Sequence, residues 1–337
     1  METFIIGSGS YAPERVVSNE EIADALGLTP EQIFKSSGIR RRHWAARGVT
    51  TSEMAAAALD LALSDAGCQP HDVDYLLMGT MTPDRFIPGS AAMVQRRVGL
   101  GEIPCLDLRA ACCNVLYGLQ VARALVTSGA ARTVALAVAE IQSAWLDLSA
   151  AAGTLSMLFG DGAAALIISS ARRPPAIEIV DVALATDGSH ADDLGVRAPG
   201  SEYGNAAGAW RAVDEADFKP RMNGQTVIVQ ASRRMTAICQ EVLRRNALDI
   251  NGVSWIVPHQ ANANLLAQVA RSLRFAAGTE RVVSLLEEYG NTSSASMGMA
   301  IDQLRRSGRA RAGDVLLLPA FAAGFTWGAG LCRAAGD

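Results

Sequence analysis

This chain of 337 residues has little charge of either sign, few aromatic residues and almost no lysine. Lys35 and Lys219 are the two lysines among 30 basic residues, and the net charge at pH 7 is −4. A protein without a basic excess has no general attraction to nucleic acid. No apolar run is long enough to span a membrane, and Phe4-Ile-Ile-Gly-Ser-Gly9 is too short for a secretory signal. These absences argue against nucleic-acid and membrane partners.

Metal-binding and dinucleotide-binding patterns are also missing. No cysteine pair has CxxC spacing, and Gly7-Ser-Gly9 lacks the third glycine of a dinucleotide fingerprint. We therefore expect no metal site and interpret the cysteines as reduced thiols of a cytoplasmic protein. The six cysteines are Cys68, Cys105, Cys112, Cys113, Cys239 and Cys332.

Hydrophobic residues make up 50% of the chain, which is enough for a large buried core. Stretches with helical spacing alternate with short apolar stretches, as in an α/β fold with buried strands. The predicted helices are Thr51 to Ala66, Ala91 to Val98 and a segment from about Cys113, and the predicted strands are Val73 to Met78, Ile103 to Leu108, Thr133 to Val138 and Ala163 to Ser169.

The chain contains a weak internal repeat. Residues 66–77 align without a gap on residues 246–257, and the same offset places Cys112 on Thr292, next to Asn291. This predicts two duplicated α/β halves that direct their strand ends toward one cleft. The polar segment Ala171-Arg-Arg-Pro-Pro175 marks their junction, so we expect halves at 1–172 and 173–337.

A cysteine lies where the strand ending near Leu108 meets the following helix. The first turn of a helix has unpaired N–H groups and a partial positive charge, and both favour a thiolate. The same N–H groups can bind the oxyanion of an attacked thioester. Cys112 is therefore a candidate nucleophile, although buried free cysteines more often serve only as small core residues.

Two other segments strengthen this hypothesis. The apolar stretch Trp255-Ile-Val-Pro-His259 ends in a histidine, and Asn291 lies in a Gly/Asn turn before a helix of small residues. A cysteine, a histidine and an asparagine at three separate strand ends are typical of a site that processes thioesters.

With these motifs the chain resembles the ketoacyl synthase III family of the thiolase superfamily. The resemblance covers essentially the whole chain. Its motifs are Gly38-Ile-Arg-Arg-Arg-His43, residues 107–119 around Cys112, Phe159-Gly-Asp-Gly-Ala163, Val257-Pro-His-Gln-Ala-Asn262, Tyr289-Gly-Asn-Thr-Ser293 and Phe321-Ala-Ala-Gly-Phe-Thr-Trp-Gly328. It implies the thiolase fold, with five αβαβα layers, and a homodimer.

The resemblance also implies a reaction. Cys112 would carry an acyl group, and His259 and Asn291 would stabilise the enolate formed when a malonyl thioester loses carbon dioxide. The backbone N–H groups of Cys112 and Ala323 would form an oxyanion hole. Substrates would be coenzyme A or phosphopantetheine thioesters, delivered free or by an acyl-carrier protein, with no metal or bound cofactor. The implied substrate-binding residues are Arg40, Ile87, Gln225, Asn262 and Phe321, with Ile87 in a segment that caps the partner's acyl pocket.

Four positions depart from the family at the donor site. Gln32 and Ser36 stand where an aromatic residue and an arginine hold the adenine of coenzyme A, and Ala152 and Asn264 replace two further basic residues. We therefore hypothesise weak binding of free coenzyme A esters. Arg40, Arg41 and Arg42 remain near the expected entrance. Residues that could meet an acidic carrier protein are Arg233, Arg234, Arg244, Arg245 and Arg271.

Two smaller departures concern backbone shape. Ala322 and Ala323 replace glycines, which is permitted if their φ angles are negative. Asn114 replaces a usual glycine after the cysteine pair, and either it tolerates an unusual backbone angle or it narrows the acyl pocket.

Two other functions compete with condensation. An acyltransferase of the same fold would load Cys112 and pass the acyl group to an acceptor without forming a carbon–carbon bond. A non-catalytic partner subunit of a ketosynthase would lose the nucleophile, whereas this chain keeps Cys112, His259 and Asn291.

Overall fold

The computed structural model describes residues 1–201 and 214–336. Its strands are β1 (Phe4–Tyr11), β2 (Val16–Ser18), β3 (Arg41–His43), β4 (Tyr75–Gly79), β5 (Cys105–Leu108), β6 (Thr133–Glu140), β7 (Gly162–Ser169), β8 (Ala176–Thr186), β9 (Leu194–Gly195), β10 (Arg221–Met222), β11 (Trp255–Ile256), β12 (Val315–Ala322) and β13 (Thr326–Ala335). Its α-helices are α1 (Asn19–Ile22), α2 (Pro30–Ser37), α3 (Thr51–Ala66), α4 (Ala91–Val98), α5 (Asn114–Thr127), α6 (Gly153–Ser156), α7 (Gly224–Arg245), α8 (Ala263–Ser272), α9 (Leu286–Tyr289) and α10 (Ala295–Arg306).

The helices predicted at Thr51–Ala66 and Ala91–Val98 are confirmed with the same ends. Their boundaries follow from local chemistry. The Thr50 side chain accepts a hydrogen bond from the Glu53 N–H at the start of α3, and Gly67 ends it at a φ of 61°. The helix expected from about Cys113 begins at Asn114, after a 3₁₀ turn over Ala111–Cys113.

Nine strands form one sheet in the order β11-β12-β13-β8-β1-β7-β6-β4-β5. Strand β4 is parallel to both β5 and β6, whereas β7 is antiparallel to both β6 and β1. The second half repeats this pattern, because β11 is parallel to β12, and β13 is antiparallel to β12 and β8. Strands β1 and β8 join the halves through the pairs Phe4–Glu178 and Ile5–Ile177.

The duplication predicted from sequence is visible element by element. The 3₁₀ turn Pro70–Asp72 precedes β4, and the 3₁₀ turn Ile250–Gly252 precedes β11. Helices α5 and α10 follow equivalent junctions, one after Cys112 and one after Asn291. Strand β7 ends at Ser169 and β8 begins at Ala176, while the boundary at 172/173 stays a prediction.

Helices cover both faces of each half-sheet, which gives five layers. Helix α3 packs on β1, β6 and β7, while α5 and α10 lie against the opposite face of that half. Helix α5 also contacts β8 and β13, and α7 covers the far side of β8, β12 and β13. Successive residues of β6 alternate between the α3 core and the middle-layer core. The αβαβα arrangement is the fold that the resemblance implies.

None of the helices at residues 1–201 and 214–336 is long and apolar enough to cross a membrane. In the same ranges, no three histidine, cysteine or acidic side chains cluster as metal ligands would.

Candidate active site

Cys112 lies in the tight turn between β5 and α5. Ala111, just before it, has a φ of 47°, which is uncommon for a residue with a side chain. The Asn114 side-chain oxygen accepts a 2.7 Å hydrogen bond from the Ala110 N–H and so closes the turn. The neighbouring Cys113 is fully buried, with its sulfur 3.6 Å from the Thr326 carbonyl oxygen. The two adjacent cysteines therefore differ, because Cys112 faces open space and Cys113 faces the core.

His259 and Asn291 are held by hydrogen bonds on the sides that face away from open space. His259 is 3% exposed, and its Nδ1 lies 2.8 Å from the Ser296 hydroxyl. The Asn291 side-chain oxygen accepts a 2.9 Å hydrogen bond from the Ser293 N–H. This bond engages the oxygen of the amide group and leaves its nitrogen as the donor.

Cys112, His259 and Asn291 line one cavity of about 410 Å³. Its walls are mainly apolar, which suits a long thioester arm more than a charged ligand. Wall residues come from the 154–159 segment, from α7 and from the start of α8, and include Thr154, Met157, Leu158, Val227, Ile228, Ala231, Met235, Leu265 and Gln268.

A second cavity, of about 160 Å³, is also lined by Cys112. Leu155, Phe159 and Leu194 belong to the walls of both cavities, as Cys112 does. Ala323 and Ser293 line the second one. Cys112 thus borders both a larger and a smaller compartment.

Burial sets the protonation states of the two titratable groups. Burial, with a smaller contribution from the charge of Glu140, raises the pKa of the Cys112 thiol to about 12, while a hydrogen bond from Ser293 acts in the opposite direction. Burial also lowers the pKa of His259 to about 4. The free protein therefore holds a neutral thiol and a neutral imidazole at pH 7. The expectation that Cys112 has a lowered pKa is wrong, because Cys112 lies in the 3₁₀ turn before α5 and its burial raises the pKa.

Comparisons with known proteins agree with this geometry. A family model described as 3-oxoacyl-[acyl-carrier-protein] synthase III matches residues 106–188, and its C-terminal counterpart matches residues 243–334. The β-ketoacyl-[acyl-carrier-protein] synthase III of Nitratidesulfovibrio vulgaris is 38% identical over 333 residues, covering 97% of each chain. The chain belongs to the β-ketoacyl-[acyl-carrier-protein] synthase III family. It is an acyltransferase of the condensing type, as in fatty-acid biosynthesis.

Solved structures support the same assignment. The crystal structure of 3-oxoacyl-(acyl carrier protein) synthase III from Pseudomonas aeruginosa superposes with a TM-score of 0.88 at 33% identity, covering 100% of this chain and 99% of that chain. The priming β-ketosynthase of a polyketide biosynthetic pathway gives a TM-score of 0.87 at 30% identity, covering 99% and 96%. The thiolase fold of this synthase family is therefore established for the chain.

The structure separates the predicted substrate-binding residues of this synthase into two groups. Asn262 and Phe321 line the larger cavity. Gln225 is exposed beside cavity residues Gly224 and Val227, without lining the cavity itself. Ile87 is 78% exposed and borders neither cavity next to Cys112.

Of the three arginines expected near the entrance of the cavity, Arg40 and Arg41 are exposed, whereas the expectation for Arg42 is wrong. Arg42 is fully buried and donates hydrogen bonds to Asn19 and to the Met157 carbonyl oxygen, so it supports a cavity wall from behind. Arg40 is exposed, pairs with Glu287 and stacks 4.1 Å from the Phe34 ring. Arg41 is exposed and pairs with Glu288.

Neutral side chains surround the mouth of the larger cavity. Ser36, Asn262 and Asn264 all line it. The Asn262 and Asn264 amides donate hydrogen bonds of 2.8 and 3.0 Å to the Ser36 carbonyl oxygen, and so tie α8 to the end of α2. Gln32 instead caps α2, because its side-chain oxygen accepts the Thr29 N–H.

The backbone departures have simple explanations. Neither Ala322 nor Ala323 has a positive φ angle, as expected. In that loop it is Gly324 that has one, with a φ of 133°. Neither alternative for Asn114 holds. Its φ is an ordinary −51°, and it lines neither cavity next to Cys112.

The predicted carrier-facing arginines are on the outer helices. Arg233, Arg244 and Arg271 are exposed on α7 and α8. Arg234 and Arg245 are engaged in ion pairs with Asp187 and Asp181.

Three residues of the site were missed at the level of sequence. Ser293 contacts the Cys112 sulfur at 3.5 Å, Ser296 contacts His259, and Glu140 lies under the site. A signal for Glu140 exists, because it is a lone acid at the end of the apolar run Thr133–Glu140.

Proposed function

We propose that this synthase condenses an acyl thioester with a malonyl thioester through an acyl-Cys112 intermediate. The observation that carries the proposal is the joint lining of one cavity by Cys112, His259 and Asn291. The product is a β-ketoacyl thioester, and no metal or bound cofactor takes part.

Loading of Cys112 is the first step. A thiol with a pKa near 12 needs a base, and the neutral imidazole of His259 in the same cavity can accept its proton. The sulfur attacks the thioester carbonyl, the new C–S bond forms, and the bond to the donor thiol breaks. The leaving thiolate takes the proton from His259. The N–H groups of Cys112 and Ala323 stabilise the oxyanion.

Decarboxylation is the second step. The malonyl C–C bond breaks, carbon dioxide leaves, and the remaining electron pair forms an enolate held by hydrogen bonds from Asn291 and His259. The enolate carbon attacks the acyl-Cys112 carbonyl. A carbon–carbon bond forms, the C–S bond breaks, and the released Cys112 thiolate takes a proton from solvent.

Ser296 allows His259 to act in both steps. Its hydroxyl accepts the Gln260 N–H at 3.1 Å and lies 2.8 Å from His259 Nδ1 and 2.9 Å from the Ser293 carbonyl oxygen. Turned toward Ser293, the hydroxyl accepts from Nδ1–H and leaves Nε2 as a base. Turned toward Nδ1, it donates, and Nε2–H becomes a donor for the enolate.

We further propose that the acyl donor is carried by an acyl-carrier protein. A phosphopantetheine arm requires an apolar channel, whereas the adenine and phosphates of free coenzyme A require stacking and positive charge. Ser36 and Asn264 at the mouth are neutral. A Michaelis constant for acetyl-coenzyme A in the low micromolar range would contradict this proposal.

We also propose a homodimer formed along β5. This strand ends the sheet and pairs only with β4 among the described residues. An unpaired strand edge with exposed apolar side chains can pair with a strand of another chain. Leu106 on β5 is such a side chain, since it is 40% exposed. Ile87 would then reach the partner's smaller cavity. Sedimentation of a monomer at micromolar concentration would contradict this arrangement.

The six unpaired cysteines suit a reducing compartment, and we expect the cytoplasm.

Intact-protein mass spectrometry tests the main proposal. The protein is incubated with acyl-carrier and acyl-coenzyme A esters and then with malonyl-carrier protein. We expect a mass gain on Cys112 that disappears as a β-ketoacyl product forms. A gain that moves to a non-malonyl acceptor, without release of carbon dioxide, would identify an acyltransferase instead.

A further inference from the structure

A fully buried carboxylate lies beneath the site without a positive partner. Glu140, at the end of β6, is 0% exposed and takes part in none of the ion pairs among the described residues. Its oxygens accept hydrogen bonds from Ser294 Oγ at 2.6 Å, Thr82 Oγ1 at 3.1 Å, the Met81 N–H at 3.1 Å and Gln142 at 3.3 Å. A buried acid without a cation is rare, because desolvating it is costly.

The donors to Glu140 belong to two walls of the site. Met81, Thr82 and Gln142 line the smaller cavity beside Cys112. Ser294 is the residue before α10 and follows Ser293, which contacts the Cys112 sulfur and has a φ of 50°. The same carboxylate therefore binds the wall of the smaller cavity and the turn that touches the nucleophile.

The charge of Glu140 also acts on Cys112. A negative group nearby disfavours the thiolate, and Glu140 contributes to the raised pKa of Cys112. Burial raises the pKa of Glu140 itself to about 7, although hydrogen bonds from Ser294, Met81 and Thr82 oppose that rise. The carboxylate is thus partly ionised near neutral pH.

We propose that Glu140 is a positioning residue that holds the Ser293–Ser294 turn against the Met81–Thr82 wall and adds its charge to the burial that keeps the resting Cys112 thiol protonated. This inference rests on the proposed function, since it concerns the loading of Cys112. It assigns Glu140 no contact with substrate.

Glu140→Gln tests the effect of the negative charge of residue 140 while the size of its side chain stays nearly the same. The amide has nearly the same size, but it removes the charge and presents an NH₂ group to donors that need an acceptor. Glu140→Asp keeps the charge and shortens the reach. Ser294→Ala leaves the carboxylate in place and removes the shortest of its bonds, so it also serves if Glu140→Gln fails to fold.

A matched control is Asp161→Asn. Asp161 is also fully buried, takes part in none of the described ion pairs, and accepts hydrogen bonds from Ser143 and from the Ala45 N–H. It lines neither cavity next to Cys112. Its substitution should cost stability without changing the reactivity of Cys112.

The first measurement is the rate of Cys112 alkylation by iodoacetamide between pH 6 and pH 10, with Cys112→Ala as the blank for the other cysteines. We expect Glu140→Gln to shift the curve to lower pH by about one unit, an alkylation about tenfold faster at a given pH. Glu140→Asp and Asp161→Asn should follow the wild-type curve. A Glu140→Gln curve that coincides with the wild-type curve would overturn the electrostatic part of the proposal.

The second measurement is the rate of acyl loading from an acetyl-carrier ester, followed by mass. We expect about a tenfold loss in Glu140→Gln and Glu140→Asp and a smaller loss in Ser294→Ala. Wild-type loading rates in all three variants would overturn the positioning role. If wild-type protein forms no acyl-Cys112 at all, the proposed function fails, and the alkylation curves still decide whether Glu140 controls the thiol.

Discussion

The Cys112 junction and the Asn291–Ser296 junction occupy equivalent places in the two halves, yet they are built differently. Each has a residue with side chain and positive φ, Ala111 at 47° and Ser293 at 50°, and each leads into a helix of the middle layer. The Cys112 sulfur has a single hydrogen-bond contact among the described residues, at 3.5 Å. The second junction is instead crossed by several short hydrogen bonds.

This difference matches two chemical tasks. A nucleophile has to move toward its target to form a bond and away from it when the bond breaks, so few contacts should restrain it. Donors that stabilise developing charge act best when they are fixed beforehand. In the proposed mechanism, the duplicated frame thus provides one loosely held reactive group and one rigid set of donors.

The largest expected effect distinguishes the two cysteines within the first junction. Cys112→Ala should abolish acyl-enzyme formation and condensation, because it removes the sulfur of the residue that borders both cavities. Cys113→Ala should keep acyl loading within a few-fold and lower stability by about 1 kcal/mol, as a small buried side chain is lost. Mass spectrometry after incubation with acyl donor checks both variants. A lethal Cys113→Ala with a mild Cys112→Ala would reverse the assignment.

The next largest effect is expected for Asn291, in the Asn291–Ser296 junction, and it should appear only in the decarboxylation step. Asn291→Ala should leave acyl loading nearly unchanged and slow release of carbon dioxide by about 10²–10³-fold, the usual result of losing one oxyanion donor. Asn291→Asp is the matched variant, because it keeps the acceptor for the Ser293 N–H and removes the donor. Equal losses in loading and decarboxylation would show that Asn291 does not separate the two steps.

A smaller effect should follow when the support of His259 is removed. Ser296→Ala deletes the hydroxyl that faces Nδ1, and we expect about a tenfold loss in condensation, equivalent to one net hydrogen bond. The ¹⁵N shifts of the ring should report a changed tautomer balance. Ser307→Ala, at the exposed end of the same helix, is the control. Unchanged ring shifts in Ser296→Ala would remove the basis for a tautomer role.

The smallest effect concerns the turn that carries the nucleophile. Asn114→Ala removes the hydrogen bond to the Ala110 N–H and should cost about 1 kcal/mol, similar to the loss of a helix cap. The melting temperature should fall by about 2 °C. Thr127→Ala, exposed on the last turn of α5, provides the comparison. A larger loss in Thr127→Ala than in Asn114→Ala would argue against the bracing role.

Sequence reasoning succeeded where a local pattern determines the outcome. Residues 51–66 carry a capping threonine, helical spacing and a terminal glycine, so both ends of α3 were predictable. The alignment of residues 66–77 on 246–257 predicted the duplicated halves, because both segments contain the same turn before a strand. Cys112, His259 and Asn291 line one cavity, as expected from their positions after segments with a clear pattern, while their catalytic roles stay a prediction.

Sequence reasoning failed for burial, pKa values and long-range contacts, because these depend on what surrounds a side chain in the folded protein. An arginine in an arginine-rich run is usually exposed, so the sequence suggests a surface position for Arg42. In the structure, Asn19 and the segment around Met157 enclose its side chain and accept its hydrogen bonds. The helix terminus at Cys112 predicts a lowered pKa, and only the depth of the site reveals that desolvation dominates. Ser296 and Glu140 act across 37 and 154 residues of sequence, a separation that no local pattern encodes.

The position of the chemical groups in the middle layer affects how the enzyme can evolve. Helices α5 and α10 lie within one middle-layer core, and α5 contacts strands of both half-sheets, so changes in these helices disturb the packing behind Cys112 and Asn291. The walls of the larger cavity come in part from the outer helices α7 and α8. We therefore expect substitutions on the cavity face of α7 and α8 to be tolerated more readily than substitutions in α5 and α10. The shape of the larger cavity can change in this way without disturbing the turns that carry Cys112 and Asn291.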